Sequence, residues 1–127
     1  PIVLHARLKA MVAFGADPVA IRNAYDRATA AQLTPFHRAV VGLTFVEHLV
    51  RLDRGEALAL FEALPLPEAW NEMGTPQHRY AARWWYLKGH LDPAAAATAM
   101  REAARCFRQA GCINAAKAAT LRLHRVL

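Results

Sequence analysis

Apolar or small residues follow one another along this chain at intervals of four, three and four, the spacing that keeps side chains on one face of an α-helix. Leu4, Leu8, Met11 and Gly15 form the first such stripe, and Ala39, Leu43, Val46 and Val50 the second. Tyr80, Trp84, Leu87 and Leu91 repeat it, and Ala116, Thr120, Leu123 and Leu127 carry a fourth copy to the last residue. The stripes begin 35, 41 and 36 residues apart. An Asp follows each of the first three within three residues, at Asp17, Asp53 and Asp92. Seven, eight and eleven positions past each Asp lies a further trio: Ala24, Tyr25, Ala28; then Leu60, Phe61, Leu64; then Ala99, Met100, Ala103. A recurrence of this length is the period of helical hairpins that stack on their neighbours, an architecture whose usual work is binding.

Turn residues fall between the stripes. Gly15 to Pro18 ends the first helix, and Pro18 sits at a first-turn position, where its missing N–H costs nothing. The second helix runs to about Gln32 on Ile21, Ala24, Tyr25 and Ala28. Thr34-Pro35 opens the third, with Thr34 as N-cap, and Arg54-Gly55 divides the third from the fourth. Pro65 and Pro67 end the fourth, and Pro67 to Met73 predicts a short connecting helix carrying Trp70. Gly74-Thr75-Pro76 starts the next, Asp92-Pro93 opens a long one that closes at Gly111, and the last runs to the chain end. No alternating β-branched run predicts a strand. The expectation is one all-α domain of seven or eight helices, with units 1–34, 35–75 and 76–111 and a final helix at 112–127.

Two helices are apolar on more than one side. In the third, Val41, Phe45, Leu49 and Leu52 form a second stripe beside Ala39, Leu43, Val46 and Val50, leaving Thr44, Glu47 and Arg51 in the polar wedge. A helix with two apolar sides needs cover on both, as an internal member of an array has. In the last helix Ala115, Ala118 and Leu121 lie off the core stripe. Ala118 and Leu121 are therefore expected at an open edge, covered by a further repeat or by a second copy of the chain. The chain begins at Pro1 without Met, which reads as a piece of something longer.

Composition narrows the class. At 127 residues the chain can bury one continuous core, and 28 alanines favour closely approaching helices. Arg outnumbers Lys by 13 to 3 and the net charge is +6, which suits an acidic partner. Cys106 and Cys112 are too few for a disulfide framework, and no signal-like N-terminus is present, so both read as reduced in a cytoplasmic protein. The apolar segment from Ile2 to Phe14 is interrupted by His5, Arg7 and Lys9 and is shorter than the ~20 residues a membrane span needs.

Ala103, Phe107 and Ala110 match an Ala-x3-Phe-x2-Ala pattern, Ala57, Phe61 and Leu64 match it with one conservative change, and Ala24, Ala28 and Ala31 match it loosely. On these residues the chain resembles the tetratricopeptide-repeat superfamily over essentially its whole length, as three hairpins plus one helix. The period exceeds that family's usual one, and its full Trp-x2-Leu-Gly-x2-Tyr start is missing. The resemblance implies a right-handed α-solenoid. It also implies a non-enzymatic interaction module, in the manner of the sensor or scaffold regions of bacterial transcriptional regulators and signalling proteins. First helices line the concave binding surface in that family.

The candidate binding row lies on such a first helix. Arg79, Arg83, Tyr86 and His90 fall within about 60° of one another on a helical wheel, away from the core stripe. Two guanidiniums, a phenol and an imidazole can grip a carboxylate or phosphate, so the expected partner is a protein or peptide, with an acidic one fitting best. A second basic row, Arg101, Arg105 and Arg108, reads as a solvated face. Arg, Tyr and Trp interleave between Arg79 and Lys88, a pattern of nucleic-acid binders. Helical periodicity assigns Tyr80 and Trp84 to the core, however, which argues against direct nucleic-acid binding. A nucleic-acid-binding domain and an oligomerisation module are the alternatives. No catalytic or metal residue and no cofactor is expected: zinc spacings, nucleophile elbows and phosphate loops are missing, and serine is absent altogether. His37 and His78 share a repeated Pro-x-His-Arg and predict a capping role. Glu68 and Glu72, one turn apart, are a weak ligand pair.

Overall fold

The computed structural model describes residues 2–30, 33–70 and 75–127; Gln32, Glu72, Met73 and Gly74, on which parts of the sequence reading fall, lie outside them. Seven α-helices and no strand occur among the described residues. They are α1 (Ile2–Ala13), α2 (Pro18–Ala30), α3 (Pro35–Leu49), α4 (Arg54–Ala63), α5 (Thr75–Leu91), α6 (Ala96–Gln109) and α7 (Ile113–Val126). The connector expected as an eighth helix contains a three-residue 3₁₀ turn, Pro67–Ala69. Buried Trp70 follows it in extended conformation. The Trp70 indole N–H donates to the Pro65 carbonyl at 3.0 Å, and its ring meets Phe36 edge-on at 5.6 Å. Burying that ring holds the chain in a turn.

Local chemistry sets the helix ends. Asp17 Oδ2 accepts from Ala20 N at 3.3 Å, Asp53 Oδ1 from Glu56 N at 3.0 Å, and Asp92 Oδ1 from Ala94 N at 3.1 Å. Each Asp thus satisfies an orphan donor at the entry to α2, α4 or the 3₁₀ turn leading into α6. Thr34 caps α3 by accepting from His37 N at 3.2 Å, and its hydroxyl pairs with His37 Nδ1 at 2.8 Å, so His37 belongs to the cap. Gly15 and Gly111 take positive φ, 68° and 78°, just past α1 and α6. Ala16 N donates to Met11 O and Cys112 N to Phe107 O, closing both helices with the same glycine-dependent hydrogen-bond pattern. Gly15 is therefore an exposed stop residue and not the fourth member of a buried stripe.

The chain divides into two compact units, Pro1–Asn71 and Glu72–Leu127. In the first, α3 packs on α1, α2 and α4. Every residue from Ala39 to Val46 is buried, with Leu49 beyond them, meeting the cover that two apolar sides require. Thr44, expected in the polar wedge, is only 4% exposed. Its hydroxyl donates to Val40 O at 3.3 Å and lies 3.2 Å from His5 Nε2, so α1 covers that side and satisfies the oxygen. Leu52 lies past the end of α3 and is exposed, which removes it from the second stripe.

Phe45 ties α2 to α3. Its ring stacks on Tyr25 at 4.2 Å and on His48 at 5.9 Å, and the Arg22 guanidinium lies 5.4 Å from its centroid. Arg22 also pairs with Glu56 of α4. Burial, and then the Arg22 charge, hold the His48 pKa below its ordinary value. The unfolded chain therefore binds a proton at His48 at higher pH than the folded one. Stability from this source is complete above about 6.5 and is lost as pH falls through the lower folded value. Thermal melts from neutral to mildly acidic pH should show the loss, and His48→Gln should flatten that part of the profile.

In the second unit α6 packs on both α5 and α7. Its buried face is Ala96, Ala99, Met100, Ala103, Ala104, Cys106 and Phe107. Gly89 of α5 permits the close approach: a Cβ there would stand 3.1 Å from Ala99 Cβ and 3.3 Å from Ala96 O. Ala82, Ala116 and Ala119 join Ala103, Ala104, Cys106 and Phe107 in one cluster, and the small side chains explain how three helices meet so tightly.

Candidate functional site

Helix α5 carries Arg79, Arg83 and Lys88 and no Asp or Glu. Arg79 is exposed, and Arg83, Tyr86 and His90 are half-buried. The guanidiniums of Arg79 and Arg83 lie 5.5 and 5.3 Å from the centroid of the same ring, Tyr80. Tyr80 itself is half-buried, so it serves as a platform for the two cations besides belonging to the apolar stripe. Each cation–ring contact is worth about 0.5–1 kcal/mol where exposed, and together they reduce the freedom of both guanidiniums. Tyr86 is packed against the α6–α7 cluster. It shares the row's face, but part of its ring lies in the core. Trp85 packs on the same cluster and meets Trp84 edge-on at 4.9 Å.

Two members of the second basic row, Arg105 and Arg108, have side-chain partners within the chain. Arg105 donates to Glu102 Oε2 through Nη2 at 2.7 Å and Nε at 3.2 Å, and reaches Gln109 at 3.3 Å. Arg108 crosses to α7, donating to Thr120 Oγ1 at 3.3 Å.

At the edge of α7, Leu121 is 63% exposed and Ala118 is exposed too. They stand three positions apart on α7 and are neighbours on its surface. Leu121 lines a shallow hollow of about 460 Å³ with Arg108, Ile113, Ala116, Lys117 and Thr120, whereas Ala118 is not among its lining residues. Leu127, last of the fourth stripe, lies beyond α7 and is exposed.

A cleft between α1 and α2 was not expected from the sequence, although Leu4, Met11 and Ala24 of its lining belong to the helical stripes. It encloses about 180 Å³ and is lined by Leu4, Arg7, Met11, Ala20, Asn23, Ala24 and Arg27. On each helix its members recur at three- and four-residue intervals and so share a face, and the packing of α1 on α2 brings the two faces together.

Among the described residues no group of three His, Cys, Asp or Glu could hold a metal ion, and no helix is long and apolar enough to cross a membrane. Glu68 is exposed. Both cysteines are free thiols, and burial raises the Cys106 pKa, which keeps that sulfur protonated. No family model, curated protein or solved structure matches the chain.

Proposed function

We propose that this chain is a non-enzymatic recognition module of the tetratricopeptide-repeat type, a right-handed solenoid of helical hairpins that binds an acidic protein or peptide. The observation that carries the reading is the recurrence of one structural device. Three times a helix ends and an Asp side chain caps the entry to the next, and within each such pair the two helices pack together. In the first unit α3 also packs on both helices of the preceding pair, the neighbour-to-neighbour contact of a repeat array. A regulatory or signalling setting, inside the cell, follows the same resemblance.

The partner contacts assigned to this module are Arg79, Arg83 and His90, with Tyr86 anchoring the row on the core. Two guanidiniums over one ring in a helix without acids are suited to a carboxylate pair. A charge-assisted hydrogen bond is worth about 1.5–3 kcal/mol. Arg79→Ala together with Arg83→Ala should therefore weaken binding of a labelled glutamate-rich peptide by about tenfold or more, with the helical circular dichroism unchanged. Full affinity in the folded double variant would remove the row from the interface. Unrelated DNA or RNA bound more tightly than the peptide, with a steep loss in salt, would instead support a nucleic-acid reading.

A further inference from the structure

The hollow on α7 has two properties that together define an occupant. Its walls are apolar: Ile113 and Leu121 are 55% and 63% exposed, and eight residues of helix place them about 12 Å apart. Ala116 and Thr120 lie between them. This is the length over which an amphipathic helix sets down anchors at i, i+4 and i+7.

Its rim is cationic. Arg108 and Lys117 line the hollow, and beyond Glu102 the chain has no Asp or Glu but carries Arg105, Arg108, Lys117, Arg122 and Arg125. Arg105 is paired with Glu102, Arg108 donates to the neutral Thr120 hydroxyl, which leaves its charge uncompensated, and Lys117, Arg122 and Arg125 have no Asp or Glu nearby in sequence. A second α7 laid on this surface would set Lys117 and Arg108 against like charges, a juxtaposition that costs affinity. Helix α7 has no acid with which to offset it.

We infer that the Ile113–Leu121 hollow is a docking groove for an acidic amphipathic helix of a partner protein, with leucine-like anchors over Ile113 and Leu121 and carboxylates against Lys117 and Arg108. The inference rests on the recognition reading above and adds to it a second contact surface with a different chemistry. The α5 row requires only carboxylates, whereas the α7 groove requires an apolar face as well.

The test uses fluorescence anisotropy with two labelled peptides. One is a helix with leucines at i, i+4 and i+7 and glutamates on its flanks. The other is the same helix with lysine in place of every glutamate. The wild-type chain should bind the acidic helix and not the basic one. Leu121→Asn and Lys117→Glu, both at exposed positions, should each weaken the acidic helix by ~tenfold, and Lys117→Glu should bring the basic helix up. Failure of the acidic helix to bind, or binding that neither substitution changes, overturns the groove. If in that case the double Arg79, Arg83 variant abolishes binding, the recognition reading stands and the groove alone is lost; if nothing acidic binds, both fall. Concentration-dependent dimerisation abolished by Leu121→Asn, with no preference between the two helices, assigns the hollow to a second copy of the chain and also overturns the inference.

Discussion

Replacing Phe45 by alanine should destabilise the α1–α4 unit by about 3–5 kcal/mol, the usual cost of removing a buried phenylalanine. Phe45 is only 2% exposed, and it touches Tyr25, His48 and Arg22. The substitution therefore loses apolar burial and also leaves a gap at the joint between α2 and α3. A domain of this kind has about 5–15 kcal/mol in all, so the variant should be close to unfolding at room temperature in modest urea. Phe45→Leu keeps most of the volume and should lose less. Leu121→Ala at the exposed edge should change stability by about 0.5 kcal/mol or less. Urea midpoints of the three variants check the burial map, and equal losses at Phe45 and Leu121 would contradict it.

The second large effect is expected at Gly89. Valine there would place its Cβ against Ala99 Cβ and Ala96 O, neither of which can move unless α5 and α6 separate. Overpacking of this kind costs about 1–3 kcal/mol, more than the few tenths that leaving glycine returns to the helix. Gly55 makes the opposite case. It lies in the first turn of α4, and a Cβ there meets nothing closer than Asp53 Oδ1 at 3.5 Å. Gly55→Ala should therefore stabilise by about 0.4–1 kcal/mol. Thermal melts of the two variants should move in opposite directions; a stabilised Gly89→Val would show that α5 and α6 do not approach as described.

The Asp caps and most helix limits were legible in the sequence because they depend on residues within a few positions of one another, but Arg54-Gly55, expected to divide the third helix from the fourth, forms the first turn of α4 directly after the Asp53 cap. Asp53 caps Glu56 N, three residues on. Stripe membership was legible only inside the helices. Periodicity has no knowledge of where a helix stops, so it ran on to Gly15, Leu52 and Leu127, each of which lies past a helix end. Thr44 was misplaced for another reason: its burial is decided by α1, some forty residues away, which supplies His5 as a partner. The same limit applies to the candidate sites. That Arg79 and Arg83 share a face is a property of one helix and could be read directly. That both rest over Tyr80, that Tyr86 is half in the core, and that α1 and α2 enclose a cleft depend on packing between elements or on rotamers.

Recognition of an acidic partner is proposed to run through the α5 row. An amide chemical-shift map of the labelled protein, titrated with a glutamate-rich peptide that has no apolar residues, tests it most directly. Saturable shifts should be largest at Arg79, Arg83 and His90 and disappear in the Arg79→Ala, Arg83→Ala variant. Shifts confined to α1–α4, or no shifts at all in the folded protein, would contradict it.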